Sequence, residues 1–109
     1  MDADKRNIDY GENITYQGYL YGDNPIEDQL VKVTVTELGT GKIKWNQILL
    51  PEAKPTEYFE NTAWPFSFNI DTAKNDFEDG MTYVVEAKYV DETSKLNFLI
   101  KQIEQNNRI

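Results

Sequence analysis

Five oxygen-bearing side chains fall within one short segment of the sequence, NIDTAKNDFEDG, and they are the first candidates for chemistry. They are Asp71, Asn75, Asp76, Glu78 and Asp79. Calcium is bound in proteins by about six to eight oxygens from carboxylates, amides and carbonyls, which a loop of this composition can supply. Because the spacing does not match an EF-hand loop, the sequence leaves two interpretations open: a calcium site, or an acidic turn that faces solvent.

The chain has no histidine and no cysteine, which limits the catalytic chemistry that it could perform. Hydrolytic triads, cysteine nucleophiles and metal sites built on His or Cys are excluded. Paired carboxylates could still hydrolyse a glycoside, but that reaction needs a set separation between the two carboxyl groups and a raised pKa on one of them. The sequence indicates neither, and it therefore predicts a domain that is not an enzyme.

Five aromatic side chains form a second candidate site, because exposed rings can stack on a glycan or fill a partner's pocket. Tyr19 and Tyr21 are predicted to lie on the outward face of a strand, and the other three lie in a long segment with two prolines: Tyr58, Phe59 and Trp64. The alternative is that these loop aromatics close over the open end of a core, because a large apolar surface is unfavourable in water.

The net charge of the domain limits the kinds of partner that it can bind. The chain of 109 residues has 19 acidic and 11 basic residues, for a formal net charge of −8. Phosphate backbones repel such a surface, so we expect no nucleic acid partner. No run is long and apolar enough to insert into a membrane, and the first residues are charged where a signal peptide would be apolar. The acidic surface is expected to maintain solubility and could also concentrate cations.

A two-residue periodicity of apolar side chains dominates the sequence and predicts an all-β fold. The clearest alternations are in Ile14–Leu20, Val31–Val35, Phe66–Ile70, Tyr83–Tyr89 and Leu96–Ile100, with a less regular one in Ile43–Leu50. A short first strand is predicted at Ile8–Tyr10, and the segment between Pro51 and Trp64 is predicted to be a loop or a frayed edge.

These elements predict one domain with about seven antiparallel strands in two sheets, which is the pattern of a β-sandwich. Residues 11–101 are expected to form the sandwich. Residues 1–10 are expected to form an N-terminal arm or first strand, and residues 102–109 a polar C-terminal tail or linker.

A structural corner is predicted at Asp79, Gly80 and Tyr83, where the chain crosses from one sheet to the other. Gly80 can adopt a positive φ without steric strain, and Asp79 can accept hydrogen bonds from the backbone of the turn. The ring of Tyr83 would lie in the core and its hydroxyl would bind backbone upstream, as in a tyrosine corner. On this interpretation the three residues stabilise the fold and perform no chemistry.

The order of these motifs resembles a known family. The stretches GENITYQGYLYGDNPIEDQLVKVTV and FSFNIDTAKNDFEDGMTYVVEAKYVDETSKLNFLI are similar to the immunoglobulin-like domains repeated in archaeal cell-surface and S-layer proteins. The match runs from Gly11 to Ile100. It departs from the family's pattern at Tyr16, where an aliphatic residue is usual, and at Ile48–Trp64, which is longer than a minimal module needs. The resemblance implies an extracellular structural or adhesive role and supplies no catalytic residues.

The location of the domain follows from the same resemblance. We expect an excised domain of an exported protein at the cell surface, where its partners would be neighbouring domains or copies in an array, or a glycan. The triplet NIT at Asn13 fits the N-glycosylation pattern and would then lie at the surface. The interpretation is an immunoglobulin-like module that assembles through its ends and edges, with calcium or glycan binding as the alternative.

Overall fold

The computed structural model describes residues 1–21, 30–52, 55–90 and 92–103, except for the side chains of Tyr58 and Asn61. Gly22, Asp23, Asn24 and Pro25 are residues typical of turns and predict one between two strands. That predicted turn and the last residues of the predicted tail, 104–109, lie outside the described residues. Nine strands occur in the described part: β1 (Asp2–Ala3), β2 (Asn7–Ile8), β3 (Asn13–Tyr21), β4 (Val31–Glu37), β5 (Ile43–Leu49), β6 (Thr56–Tyr58), β7 (Asn61–Asp71), β8 (Thr82–Tyr89) and β9 (Glu92–Ile100).

The strands form two sheets that pack as a sandwich. One sheet has four strands in the order β1-β3-β7-β6, and the other has five in the order β2-β9-β8-β4-β5. Only two residues separate β8 from β9, and two also separate β6 from β7. No helix in the described ranges has the length and apolar character needed to cross a membrane.

The core lies between the sheets and follows the predicted alternation. In β4 the side chains of Val31, Val33 and Val35 are buried while Lys32 is exposed. β3 and β8 alternate in the same way, with Ile14 buried in the first and Val85 in the second. Because successive side chains of a strand point to opposite faces, each strand buries one row against the facing sheet.

Two ends of the sandwich can be distinguished by the direction of β8. The Tyr83 end contains the start of β8, the turn after Glu37 and the segment between Asp71 and Met81. The Tyr89 end contains the last residues of β3 and β8 and the turn between β6 and β7. β8 has eight residues, so the two ends are roughly 25 Å apart at about 3.3 Å per residue.

The register of β5 contains an irregularity that explains its weak sequence pattern. Val35 pairs with Trp45, but Thr36 pairs with Ile43, so Lys44 is an extra residue in β5. A bulge of this kind interrupts the alternation of faces. Lys44 and Trp45 are consecutive, yet neither is exposed, and the Lys44 side chain is only 5% accessible.

Three expectations about the strands are corrected. The described part has nine strands rather than about seven, because β1 and β6 are two short strands that the alternation did not predict. The strands are not all antiparallel, since β2 is parallel to β9. The segment between Pro51 and Trp64 is more than a loop, because β6 and the first residues of β7 pair there as a hairpin.

Candidate functional site

The Tyr83 end is built around a fully buried tyrosine. Tyr83 is the second residue of β8, and its ring packs edge-on to Phe77 with centroids 4.9 Å apart and stacks on Phe98 at 5.3 Å. Its hydroxyl accepts a hydrogen bond of 2.7 Å from the backbone N–H of Glu78, five residues upstream. Burial raises the pKa of the Tyr83 phenol, and the hydrogen bond from Glu78 opposes that rise.

The turn before β8 is held to the last strand. Gly80 has a φ of 75°, a conformation that a glycine adopts without a Cβ penalty. Its N–H donates to the carbonyl of Ile100 at 2.7 Å. The carboxylate of Asp79 accepts a hydrogen bond of 2.8 Å from the N–H of Ile103. The donor that the structure gives for Asp79 is therefore in the segment after β9, whereas the sequence predicted donors in the turn itself.

An ion pair is enclosed beside this corner. The Lys44 ammonium lies 3.7 Å from the Glu37 carboxylate, and the two side chains are only 5% and 10% accessible. Glu37 also accepts a hydrogen bond from the hydroxyl of Thr40 at 3.1 Å. Lys44 donates to the backbone carbonyl of Asp76 at 3.1 Å, so one ammonium group joins β4, β5 and the acidic segment.

The five residues of the predicted calcium site lie at the end of β7 and in the segment between β7 and β8. Asp71 accepts a hydrogen bond from the N–H of Ala73 at 3.0 Å and lies 3.9 Å from the Lys74 ammonium. Asn75 and Asp76 both have a positive φ, near 60°, and both are exposed. Within the described part of the chain, no three Asp, Glu, His or Cys side chains are grouped so that they could hold a metal ion.

The predicted aromatic site is divided by the fold. Tyr19 and Tyr21 line one groove at the Tyr89 end, with a volume of about 430 Å³. Trp64 is opposite Leu20 in the register and packs against the core. Phe59 lies in the turn between β6 and β7 and is 80% exposed. Tyr58 belongs to β6, but its side chain lies outside the described part.

The predicted glycosylation site, Asn13, is the first residue of β3 and is exposed. It is opposite Asp71 in the register of β3 and β7. Thr15, the third residue of the triplet, has a hydroxyl that accepts a hydrogen bond of 3.0 Å from the side-chain amide of Asn69. Thr15 also donates its backbone N–H to the carboxylate of Asp4 at 2.9 Å.

A second buried tyrosine, Tyr16, lies in the inward row of β3, as the alternation predicts. It is fully buried, and its ring stacks on Phe68 with centroids 5.0 Å apart and planes 7° apart. Its hydroxyl is the one buried side-chain polar atom without a hydrogen-bond partner in the part that the structure describes. Burial raises the pKa of the Tyr16 phenol well above its usual range, and the Asp4 carboxylate adds to the effect. The sequence signal that could have identified Tyr16 is that a side chain with a hydroxyl occupies an inward position, where the alternating pattern usually has an aliphatic residue.

The fold and these sites define an all-β sandwich with a buried corner at one end and an aromatic groove at the other. Comparison with known protein families, with curated proteins and with solved structures finds no match to this chain.

Proposed function

We propose that this domain is a non-catalytic structural or adhesive module of a larger extracellular protein of the surface-layer type, and that it assembles through its ends and edges. The observation that carries the proposal is the combination of sheet order and tyrosine corner. Each is typical of immunoglobulin-like modules, which serve widely in cell-surface proteins.

The sheet order supports an immunoglobulin-like arrangement strand by strand. In such sandwiches one sheet contains strands A, B, E and D, and the other contains C, F and G, with C′ added in some types. The order β1-β3-β7-β6 corresponds to A, B, E and D. The order β9-β8-β4-β5 corresponds to G, F, C and C′, and β2 would be the part of the first strand that crosses to G.

Tyr83 supports the same arrangement independently. In the tyrosine corner, a tyrosine near the start of strand F binds the backbone a few residues upstream through its hydroxyl. Tyr83 lies at the start of β8, the strand that corresponds to F, and binds the N–H of Glu78. The corner and the sheet order depend on different residues, so their agreement is more informative than either alone.

The path of the chain suits a module joined in series. Met1 lines a cavity with Ala87 and Tyr89 towards the Tyr89 end. The segment after β9 lies at the opposite end, where Ile100 donates its N–H to Met81 and Ile103 binds Asp79. Neighbouring modules that contact these two regions would lie at opposite ends of the sandwich, as in a linear array.

The edges differ in their suitability for lateral contacts. β5 is an edge strand with a bulge and an inward-pointing lysine, Lys44, which are two features that discourage strand addition. β9 pairs with β2 only at Leu99 and Ile100, so the described chain leaves its residues Glu92–Phe98 without a second neighbouring strand. We therefore propose that lateral pairing with a neighbouring module uses β9 rather than β5.

The test is where the protein is found. Antibodies raised against the folded domain should label the surface of intact cells that make the protein, and mild protease treatment of those cells should remove the label. An antibody against a cytoplasmic protein, which should label only permeabilised cells, serves as the control. Labelling that requires permeabilisation would contradict the proposal.

A further inference from the structure

Three tyrosines from two strands line a single groove at the Tyr89 end. Tyr19 and Tyr21 come from the end of β3, and Tyr89 is the last residue of β8. β3 belongs to the four-stranded sheet and β8 to the five-stranded sheet, so the groove spans the boundary between the sheets. Tyr21 is 59% exposed, which leaves much of its ring accessible to a ligand.

The groove continues into a second cavity along the side of the sandwich. The first has a volume of about 430 Å³, and the second has about 100 Å³. Both are lined by Tyr19, Leu20, Tyr89 and Glu92, so they are adjacent. The second cavity adds the hydroxyl-bearing residues Thr93 and Ser94. The combined size is in the range of small-ligand pockets, roughly 300 to 1,000 Å³.

The lining combines ring faces with hydrogen-bonding groups. Aromatic rings provide an apolar face with a polar hydroxyl at the edge, and a carboxylate can accept hydrogen bonds at both of its oxygens. A pyranose ring matches this combination, because it has C–H groups on its faces and hydroxyls around its rim. Two neighbouring hydroxyls of a sugar could donate to the two oxygens of Glu92 while a ring face lies on Tyr21.

The negative charge of the groove favours one class of saccharide over another. The groove has Glu92 among its described lining residues and no lysine or arginine, and the whole chain has a net charge of −8. A sulfated, phosphorylated or uronic-acid glycan would be repelled by this surface. A neutral saccharide would not be.

We propose that this groove binds a neutral saccharide chain, with Tyr19, Tyr21 and Tyr89 as stacking surfaces and Glu92 as the hydrogen-bond acceptor for its hydroxyls. The inference deepens the adhesive role proposed above and rests on it for its setting. The binding test and the cell-surface test use separate measurements, so either proposal can fail while the other stands.

The experiment is a titration of the isotope-labelled domain, followed by its amide NMR spectrum. The probes are three neutral hexasaccharides, made of glucose, mannose and N-acetylglucosamine, and one anionic hexagalacturonate. At about 10 mM sugar, a millimolar Kd gives near saturation. We expect at least one neutral probe to shift the amide signals of Tyr19, Tyr21, Tyr89, Val90 and Glu92, and the anionic probe to leave them unchanged.

Variants separate stacking from a general loss of structure. Tyr21→Ala should weaken the binding roughly three- to tenfold, which corresponds to the contribution of one aromatic contact. Tyr10→Ala is the matched control, because Tyr10 is 44% exposed near the opposite end and should have no effect. Glu92→Gln should weaken binding while circular dichroism stays unchanged.

Three results would overturn the proposal. The first is that no neutral hexasaccharide shifts these signals. The second is that Tyr21→Ala binds as tightly as the unmodified domain. The third is that the signals of Tyr19 and Tyr21, which do not belong to β9, shift with protein concentration alone, which would assign the groove to a contact between protein molecules.

Discussion

Tyr16 and Tyr83 are both fully buried, but their hydroxyls are in opposite situations. The hydroxyl of Tyr83 binds the N–H of Glu78 at 2.7 Å, whereas that of Tyr16 has no partner in the described part of the chain. Burying a hydroxyl without a hydrogen bond is unfavourable, so the polar atom stabilises the fold at Tyr83 and opposes it at Tyr16. Tyr83 therefore stabilises the fold through the hydrogen bond of its hydroxyl, whereas Tyr16 stabilises it through the packing of its ring.

The surroundings of the two tyrosines differ in the same way. At the Tyr83 end, the buried carboxylate of Glu37 is paired with Lys44 and bonded to Thr40. Around Tyr16, the contacts are between apolar groups: Phe68 stacks on its ring, and Gly18 in the same strand makes room for Phe66. The Tyr83 end therefore combines ring packing with polar contacts of defined geometry, whereas the ring of Tyr16 is held by close packing alone.

Removing the buried ammonium should have the largest effect. Lys44→Met would leave the Glu37 carboxylate enclosed without its cation, and removing one partner of a buried pair is strongly destabilising. We expect the free energy of unfolding to fall by about 3 kcal/mol, measured by urea denaturation. Lys42→Met is the matched control, because Lys42 is exposed in the same turn and should change stability little. Equal stability of the two variants would show that the ion pair does not hold the Tyr83 end.

Adding a methyl group at Gly18 should have the second-largest effect on stability, and this change tests the packing around Tyr16. A Cβ at this position would lie 2.2 Å from Cζ of Phe66, so the ring would have to move. Overpacking of this kind is destabilising, and we expect Gly18→Ala to reduce the free energy of unfolding by about 2 kcal/mol. Ser67→Ala, on the exposed face of the partner strand, should have little effect. A stable Gly18→Ala domain would indicate that Phe66 can move freely.

A smaller effect is expected at Glu12, and it depends on pH. The N–H of Asp9 donates to the Glu12 carboxylate at 2.8 Å, and this hydrogen bond, with Lys5, lowers the pKa of Glu12. A lowered pKa in the folded state gives stability above the unfolded pKa, near 4.5, and that stability is lost as pH falls through the folded value. Glu12→Gln should therefore melt at a lower temperature than the unmodified domain at pH 7, and the two melting curves should approach each other below pH 4. A difference in melting temperature that stayed constant with pH would contradict the coupling between stability and the ionisation of Glu12.

Calcium should have the smallest effect. Two carboxylates of the acidic segment already accept hydrogen bonds from the chain, Asp79 from the N–H of Ile103 and Asp71 from the N–H of Ala73, and Lys44 donates to the backbone carbonyl of Asp76. We expect millimolar calcium, compared with EDTA, to change the melting temperature by less than about 1 °C, since an ion that does not bind the native state cannot stabilise it. Magnesium controls for ionic strength. A rise of several degrees with calcium alone would favour the calcium interpretation.

The parts of the fold that the sequence predicted well are those with regular alternation. The inward rows of β3, β4 and the first part of β8 follow directly from period-two patterns, as Val33 and Val85 illustrate. β1 and β2 have two residues each, which is too short for any periodicity to be visible. The parallel pairing of β2 with β9 joins residues that are far apart in the chain, and no local pattern encodes it.

The contacts at the candidate sites were harder to predict from the sequence than the strands were, for two physical reasons. The bulge at Lys44 places two consecutive residues away from solvent, so an ion pair forms where alternation alone would expose one of them. The partner of Asp79 is Ile103, whose proximity depends on how the last segment folds back over the Gly80 turn. Tyr19 and Tyr21 were predicted on the outward face, and Tyr89 was predicted inward and packs against the core. The alternation does not reveal that all three line one groove at the ends of their strands.

The most direct test of the contrast between the two tyrosines is to replace each by phenylalanine and compare the free energies of unfolding. Tyr83→Phe leaves the N–H of Glu78 without its acceptor and should destabilise the domain by about 1 kcal/mol. Tyr16→Phe removes a buried hydroxyl that has no partner and should leave stability unchanged or raise it by up to about 1 kcal/mol. We predict that the two changes in the free energy of unfolding have opposite signs, or that only Tyr83→Phe clearly lowers it. An equal loss at both positions would contradict the account, because it would mean that the Tyr16 hydroxyl also makes a stabilising hydrogen bond.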